Sequence, residues 1–379
     1  VTRSIARKVP LLDLQHQNEV LAEEIGAALQ RVVRSQRFIL GEDVALFERE
    51  VAEYLKAPYA IGCASGSDAL FLALLAAGIG PGDAVATTAF SFFATAGAVV
   101  RAGARPVLVD IDPETFNLNP VELEAAAACF SNIRAVIPVH LYGGAADMQP
   151  ILDLARSRGW CVIEDAAQSI GAEYAGERVG TLGDIGCFSF FPSKNLGAFG
   201  DAGLLTARDA NVARRLAALR VHGSQEKYLH EWVGINSRID TLQCAVLRVK
   251  LRYLDEWTAG RQENAAAYSA RLSGLPVQTP VVAPYQTRHV FNQYVIRAPR
   301  RDELREFLAG RGIGTEVYYP IPFHLQPCFQ NLGYPRGAFP ESERAAEEVV
   351  ALPIHSGLTA DDLDFVCDAI HAFYDGQGL

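Results

Sequence analysis

The chain has no apolar run that reaches the roughly 18 residues of a membrane-spanning helix. Its nearest approach, residues 84–100, is interrupted by Thr, Ser and Gly. No apolar core follows the early cations Arg3, Arg7 and Lys8, so no secretory leader is expected and a cytoplasmic setting is. The seven cysteines make no CxxC pair and no metal-ligand spacing. That argues against a disulfide framework or a metal site and for reduced, buried thiols. Positive charge is also short: 34 Lys and Arg against 44 Asp and Glu leave a net charge of −10. This weighs against nucleic acid or a membrane surface as partner, although a local basic pocket is compatible with it. No Gly-x-Gly-x-x-Gly follows the first strand of a βαβ unit, which argues against a dinucleotide-binding oxidoreductase. Internal repeats and low-complexity segments are absent as well.

What is present reads as an α/β enzyme. A chain of 379 residues is long for one core, so two domains are expected. Short apolar runs at 59–63, 84–88, 106–110, 135–139 and 160–163 alternate with helical patterns, which predicts a mostly parallel sheet between helices. After a long helix or helix pair over 241–273 the composition shifts to a Pro-rich linker and a smaller α/β unit. The division expected is 1–245, a large domain with an N-terminal arm, and 246–379, a small C-terminal domain.

Two of the runs carry chemistry. Trp160-Cys161-Val162-Ile163 ends in Glu164-Asp165-Ala166-Ala167-Gln168. Ile185-Gly186-Cys187-Phe188-Ser189-Phe190-Phe191 breaks at Pro192 and delivers Ser193-Lys194-Asn195 into Gly197, Gly200 and Gly203. A carboxylate thus follows one buried strand and a lysine another, and strand ends are where α/β sheets bind ligands. A lysine that attacks a carbonyl must be neutral part of the time, and burial lowers its pKa in that direction. A carboxylate facing a pyridine nitrogen keeps it protonated. Together these point to pyridoxal phosphate chemistry, with Ser189 able to donate to the phosphate. Taken singly, Asp165 reads equally as a turn residue and Lys194 as a solvated one.

A second stretch, Ala64-Ser65-Gly66-Ser67-Asp68, turns a strand into a helix and offers free N–H groups to a phosphate. Its bland reading is an N-cap through Ser67 or Asp68. His140, at another strand end, reads first as structural. Residues 222–243 form a polar loop containing Gly234-Ile235-Asn236-Ser237-Arg238, and long polar loops in enzymes are often functional.

The motifs Glu164-Asp165-Ala166-Ala167-Gln168-Ser169 and Phe188-Ser189-Phe190-Phe191-Pro192-Ser193-Lys194-Asn195-Leu196-Gly197 resemble those of the DegT/StrS family of sugar aminotransferases, from Val9 to about Ile370. The resemblance implies the PLP-dependent transferase fold, type I. It implies Lys194 as the lysine that bonds the cofactor, Asp165 at the pyridine nitrogen, Gln168 near the ring hydroxyl, and Ser189 with the 65–68 turn (Ser67, Asp68) on the phosphate. It places Phe92 over the ring, where simple core packing is the alternative. It further implies a homodimer with shared sites, Asn236 reaching the partner's phosphate and Arg238 lying near the substrate. The implied reaction moves an amino group, usually from glutamate, to a keto group on a nucleotide-linked deoxysugar. A sugar dehydratase, a cyclitol aminotransferase and a non-catalytic regulator are the alternatives. A dehydratase of this fold has His in place of the lysine, and intact Lys194 and Asp165 speak against a regulator. The substrate's diphosphate needs local cations, and Arg238 and His324 are the candidates. For Arg238 the alternative is an ion pair with Asp240 or Glu231; for His324 it is a solvent-facing turn.

Overall fold

The computed structural model describes residues 7–226 and 228–376; Arg3 lies outside them. Seven short strands make the central sheet: β1 (Tyr59–Cys63), β2 (Ala84–Thr88), β3 (Arg105–Val109), β4 (Ile133–Ile137), β5 (Cys161–Asp165), β6 (Ile185–Ser189) and β7 (Gly203–Ala207). Their spatial order is β1-β7-β6-β5-β4-β2-β3. Pairing is parallel from β6 through β3, and β7 runs antiparallel to both of its neighbours. Such a sheet is covered on both faces, so its strands are continuously apolar rather than alternating; β2 and β7 are buried along their whole length.

Register brings the chemistry to one edge. Asp165 ends β5 opposite Cys187 of β6, and Ser189 ends β6 opposite Gly203 of β7. Gly203 also pairs with Cys63, the last residue of β1. The carboxyl ends of β1, β5 and β6 therefore share the edge where ligands of α/β sheets bind. A side chain could not stand at Gly203, because its Cβ would fall 2.4 Å from the Ser65 carbonyl carbon.

Helices α2 (Glu42–Leu55), α3 (Gly66–Ala76) and α4 (Ala94–Arg101) pack around this sheet, α1 (Ala22–Ser35) packs on α5 (Thr241–Leu251), and α6 (Leu254–Arg271) follows. A short helix, Gln15–Val20, precedes α1, which buries Ile25, Ala28 and Val32. Residues 314–319 are extended chain making one bridge, Glu316 to Ala351. The small sheet pairs β8 (Tyr294–Arg297) with β9 (Val349–Leu352).

Residue 245 falls inside α5, whose Cys244 and Leu247 pack with Val44, Phe47 and Phe188 in the large core. Val9 packs in the other direction, against Tyr268, Tyr294, Ile313 and Val350, and bridges Ile313. We therefore propose a division after Leu251, with the strand-like segment around Val9 belonging to the smaller unit. All seven cysteines are free thiols; Cys129 and Cys328 are exposed, against the expectation that all are buried. No helix among the described residues is long and apolar enough to cross a membrane.

Candidate active site

Lys194 sits on the loop that follows β6. That loop is closed by two backbone bonds, Lys194 N–H to the Phe191 carbonyl and Ala198 N–H to the Phe190 carbonyl, each 2.8 Å. The lysine is half-buried, and desolvation pushes its ammonium down to about 8, with the Asp165 charge pulling the other way. Burial disfavours the charged form, so the free amine is accessible near neutral pH.

Asp165 is 5% exposed. Its Oδ2 accepts from Thr95 Oγ1 at 2.7 Å and its Oδ1 from Ala167 N–H at 3.2 Å. Burial raises its pKa, while the bonds from Thr95 and Ala167 and the nearby Lys194 act against that rise. A carboxylate held by two donors and one neighbouring cation is poised to face a positive centre. Gln168 is also fixed: its Oε1 accepts from Tyr142 N–H at 2.6 Å and its Nε2 donates to Tyr319 Oη at 3.0 Å.

At the turn from β1 to α3 the cap is Ser65, whose Oγ accepts from Asp68 N–H at 3.1 Å. This corrects the expectation for Asp68. Its carboxylate is tied to Arg101 at 2.8 Å and its N–H is spent on the cap, so it offers a phosphate no donor. Ser67 is exposed at the helix end. A Cβ at Gly66 would lie 2.6 Å from Ser189 Cβ, so the bare backbone of α3 meets Ser189 directly. That contact makes a cradle of one hydroxyl and the unpaired N–H groups of a helix start, which suits a dianion.

Phe92 is 56% exposed, which removes the core-packing alternative; its ring centroid is 6.0 Å from that of Tyr319. His140 is structural. Fully buried, its Nδ1 accepts from Ala146 N–H and its Nε2 meets Glu164 at 2.9 Å. Glu164 also accepts from Gly180, Leu182 and Gly183 N–H.

Ser237 docks the 234–238 segment beside the same cradle, its Oγ accepting from Ala64 N–H at 3.2 Å. Asn236 is exposed there. Arg238 makes no ion pair with Asp240 or Glu231, and its Nε is buried without a partner; Glu231 takes Gln225 instead. His324 is neither a solvent-facing turn nor a free cation. Its side chain is fully buried and held by Glu343 at 2.8 Å, so a substrate diphosphate cannot reach it without breaking that pair, and the assignment is withdrawn.

Three residues escaped sequence reading: Thr95, Tyr142 and Tyr319. Each acts through a contact to Asp165 or Gln168 from a distant part of the chain, and no local spacing signals it. A groove of about 690 Å³ is lined by Glu24, Arg31, Glu50, Tyr54, Arg248 and Arg252 and contains none of the residues above. The strand-end chemistry outweighs its size.

A lysine of lowered pKa and a buried aspartate at adjacent strand ends mark an α/β enzyme with a lysine-centred site, and comparison with known proteins makes it an aminotransferase. The chain belongs to the DegT/DnrJ/EryC1/StrS aminotransferase family, which matches residues 19–371. It is 52% identical over 369 residues, 97% of this chain and 98% of the relative, to a protein of Geobacillus stearothermophilus named a pleiotropic regulatory protein. It is 43% identical to the dTDP-3-amino-3,4,6-trideoxy-alpha-D-glucose transaminase of Streptomyces venezuelae, covering 97% of each chain. Among solved structures, S. venezuelae DesV in complex with a ketimine intermediate superposes with a TM-score of 0.94 at 43% identity, over 97% of this chain and 99% of that one. NtdA of Bacillus subtilis with bound cofactor PMP gives 0.90 at 32% identity, over 99% and 86%.

Proposed function

We propose that the chain is a pyridoxal-phosphate-dependent aminotransferase that passes an amino group from an amino acid, glutamate by preference, to the keto group of a nucleotide-linked deoxysugar. The observation that carries this reading is the pairing of Lys194, lowered to about 8, with Asp165, buried at the end of the neighbouring strand. The residues present fit the cofactor: Ser189 with the N–H groups of α3 for its phosphate, Asp165 for its ring nitrogen, Gln168 for its hydroxyl and Phe92 for its face. Bound there, pyridoxal phosphate supplies a carbonyl for an amine and a ring that withdraws electrons.

The chain's own groups do the rest. Lys194 Nζ holds and moves a proton as general acid and base, a task its lowered pKa suits. Asp165, kept in place by Thr95 and Ala167, holds negative charge opposite the ring nitrogen. Arg238, which makes no ion pair among the described residues, is the group proposed to grip a diphosphate bidentately. The naming of the dTDP-sugar transaminase supports a sugar substrate. We also propose a homodimer in which Asn236, exposed and with no side-chain partner among the described residues, completes the neighbouring site.

Borohydride reduction of the protein with pyridoxal phosphate, followed by peptide mapping, tests the core of this reading. The pyridoxyl adduct is expected on Lys194, and an adduct on another lysine would remove the assignment. The name of the Geobacillus relative keeps a regulatory role as the second reading. Turnover of glutamate with keto-sugar nucleotides, read by mass spectrometry of an aminated product, decides between them.

A further inference from the structure

The molecule holds a second buried lysine that the reaction does not use. Lys250, near the end of α5, is 3% exposed, and among the described residues no carboxylate lies within ion-pair distance of it. Its Nζ donates to the Gly197 carbonyl at 2.9 Å and stands 4.8 Å from the centre of the Phe199 ring. Desolvation lowers its pKa to about 8. Burying an ammonium without a counter-ion is costly, and an apolar side chain of the same length would fill the space at less cost. The ammonium must therefore be there for its two contacts.

Both contacts fall on the loop that carries Lys194. Gly197 is three residues beyond that lysine and folds tightly onto Pro192, so that a Cβ there would lie 2.3 Å from the Pro192 carbonyl oxygen. The same loop is held at two further points. Asn195 Nδ2 donates to the Val290 carbonyl at 2.9 Å, and Phe199 N–H donates to Gln243 Oε1 at 2.8 Å. Gln243 and Lys250 are seven residues apart on α5, two turns of one helix face. Helix α5 thus grips the loop at both Gly197 and Phe199, and it begins directly after the 234–240 segment that bears Asn236 and Arg238.

We infer that Lys250 is a positioning residue for Lys194, pinning the reactive loop to α5 through the Gly197 carbonyl and the Phe199 ring. This rests on the reading of Lys194 as the reactive lysine. A cation is suited to the task because one ammonium can satisfy a carbonyl and an aromatic face at the same time. Leu196 and Ala198 of the loop pack into the large core, and Lys250 fixes the backbone carbonyl of the glycine between them.

Hydrogen exchange of the cofactor-free protein tests the clamp. In Lys250→Met, amides of residues 191–200 should exchange about tenfold faster or more, while those of β3 and β4 keep their protection. Unchanged exchange over 191–200 overturns the inference. Should Lys250→Met not fold, Lys250→Gln, shorter but still a donor, is read in the same way, with a smaller rise expected and no rise overturning. The second readout is the ratio of the visible bands of bound pyridoxal phosphate at fixed pH, which reports the surroundings of Lys194. It should change about twofold or more in Lys250→Met and stay put in Ile25→Ala, a cavity in α1 where it packs against α5. An equal change in Ile25→Ala would reduce Lys250 to a general packing role and sink the proposal. The exchange arm needs no cofactor. A borohydride adduct away from Lys194 would therefore remove the reactive-lysine reading while the clamp itself is judged on exchange alone.

Discussion

The strand-end region and the 234–238 segment lie side by side yet are finished to different degrees. At the strand ends Asp165 is held by Thr95 and Ala167, and Gln168 by Tyr142 and Tyr319. On the 234–238 segment, Asn236 is exposed and Arg238 keeps a buried Nε without an acceptor. Preorganisation is worth most where charge changes during reaction. We propose on this contrast that the first region carries the chemistry and the second recognition.

The largest break of that contrast is Lys194→Ala. Turnover should fall by on the order of a thousandfold or more, as expected for loss of a general acid–base group, with far-UV circular dichroism unchanged. Activity above a tenth of wild type would move the chemistry elsewhere. Mixed dimers sharpen the same point. Co-refolded Lys194→Ala and Asn236→Ala chains should regain activity that neither has alone, because one site of each mixed dimer then holds both residues. No recovery would make the 234–238 segment serve its own chain or none.

Asp165→Asn comes next, with turnover down about a hundredfold or more through lost electrostatic support, measured at saturating glutamate and keto-sugar nucleotide. A smaller effect is expected from Arg238→Ala. It should raise the KM for the keto-sugar nucleotide roughly tenfold, the worth of one charge-assisted hydrogen bond, and leave the glutamate half-reaction nearly untouched. Equal damage to both halves would place Arg238 with the chemistry and erase the contrast.

The smallest effect is on stability. Lys194 is lowered in the folded state from 10.5 to about 8. Between those values the unfolded chain therefore binds more protons, and stability rises with pH there. Below about 8 the full cost of holding the buried ammonium is present. The cofactor-free wild type should thus gain on Lys194→Met by about 1–3 kcal/mol between pH 8 and 10.5, read by chemical denaturation. A constant difference across that window would mean the ammonium is solvated.

Much of this was legible in the sequence because it is local. Short apolar runs closed by Asp165 and Ser189 place those residues at strand ends whatever the strand order, and the break at Pro192 sets Lys194 on the loop beyond. The cap at Ser65 was misassigned by two or three residues, since Ser65, Ser67 and Asp68 are all competent caps and only the backbone decides which residue is half inside the helix. His324 misled because a His in a Pro-flanked loop looks exposed; the helix that buries it, Pro340–Glu348, brings Glu343 from nineteen residues away.

By itself, then, the sequence determined which groups stand at the ends of β1, β5 and β6, because strand period, turn residues and helix starts are written in neighbouring residues. Tertiary structure alone decided what surrounds them. Thr95 reaches Asp165 across 70 residues, Tyr319 reaches Gln168 across 151, and Ser237 reaches Ala64 across 173. Those contacts depend on strand order and helix packing, and a sequence read in windows carries no signal for a hydrogen bond whose two halves are specified so far apart.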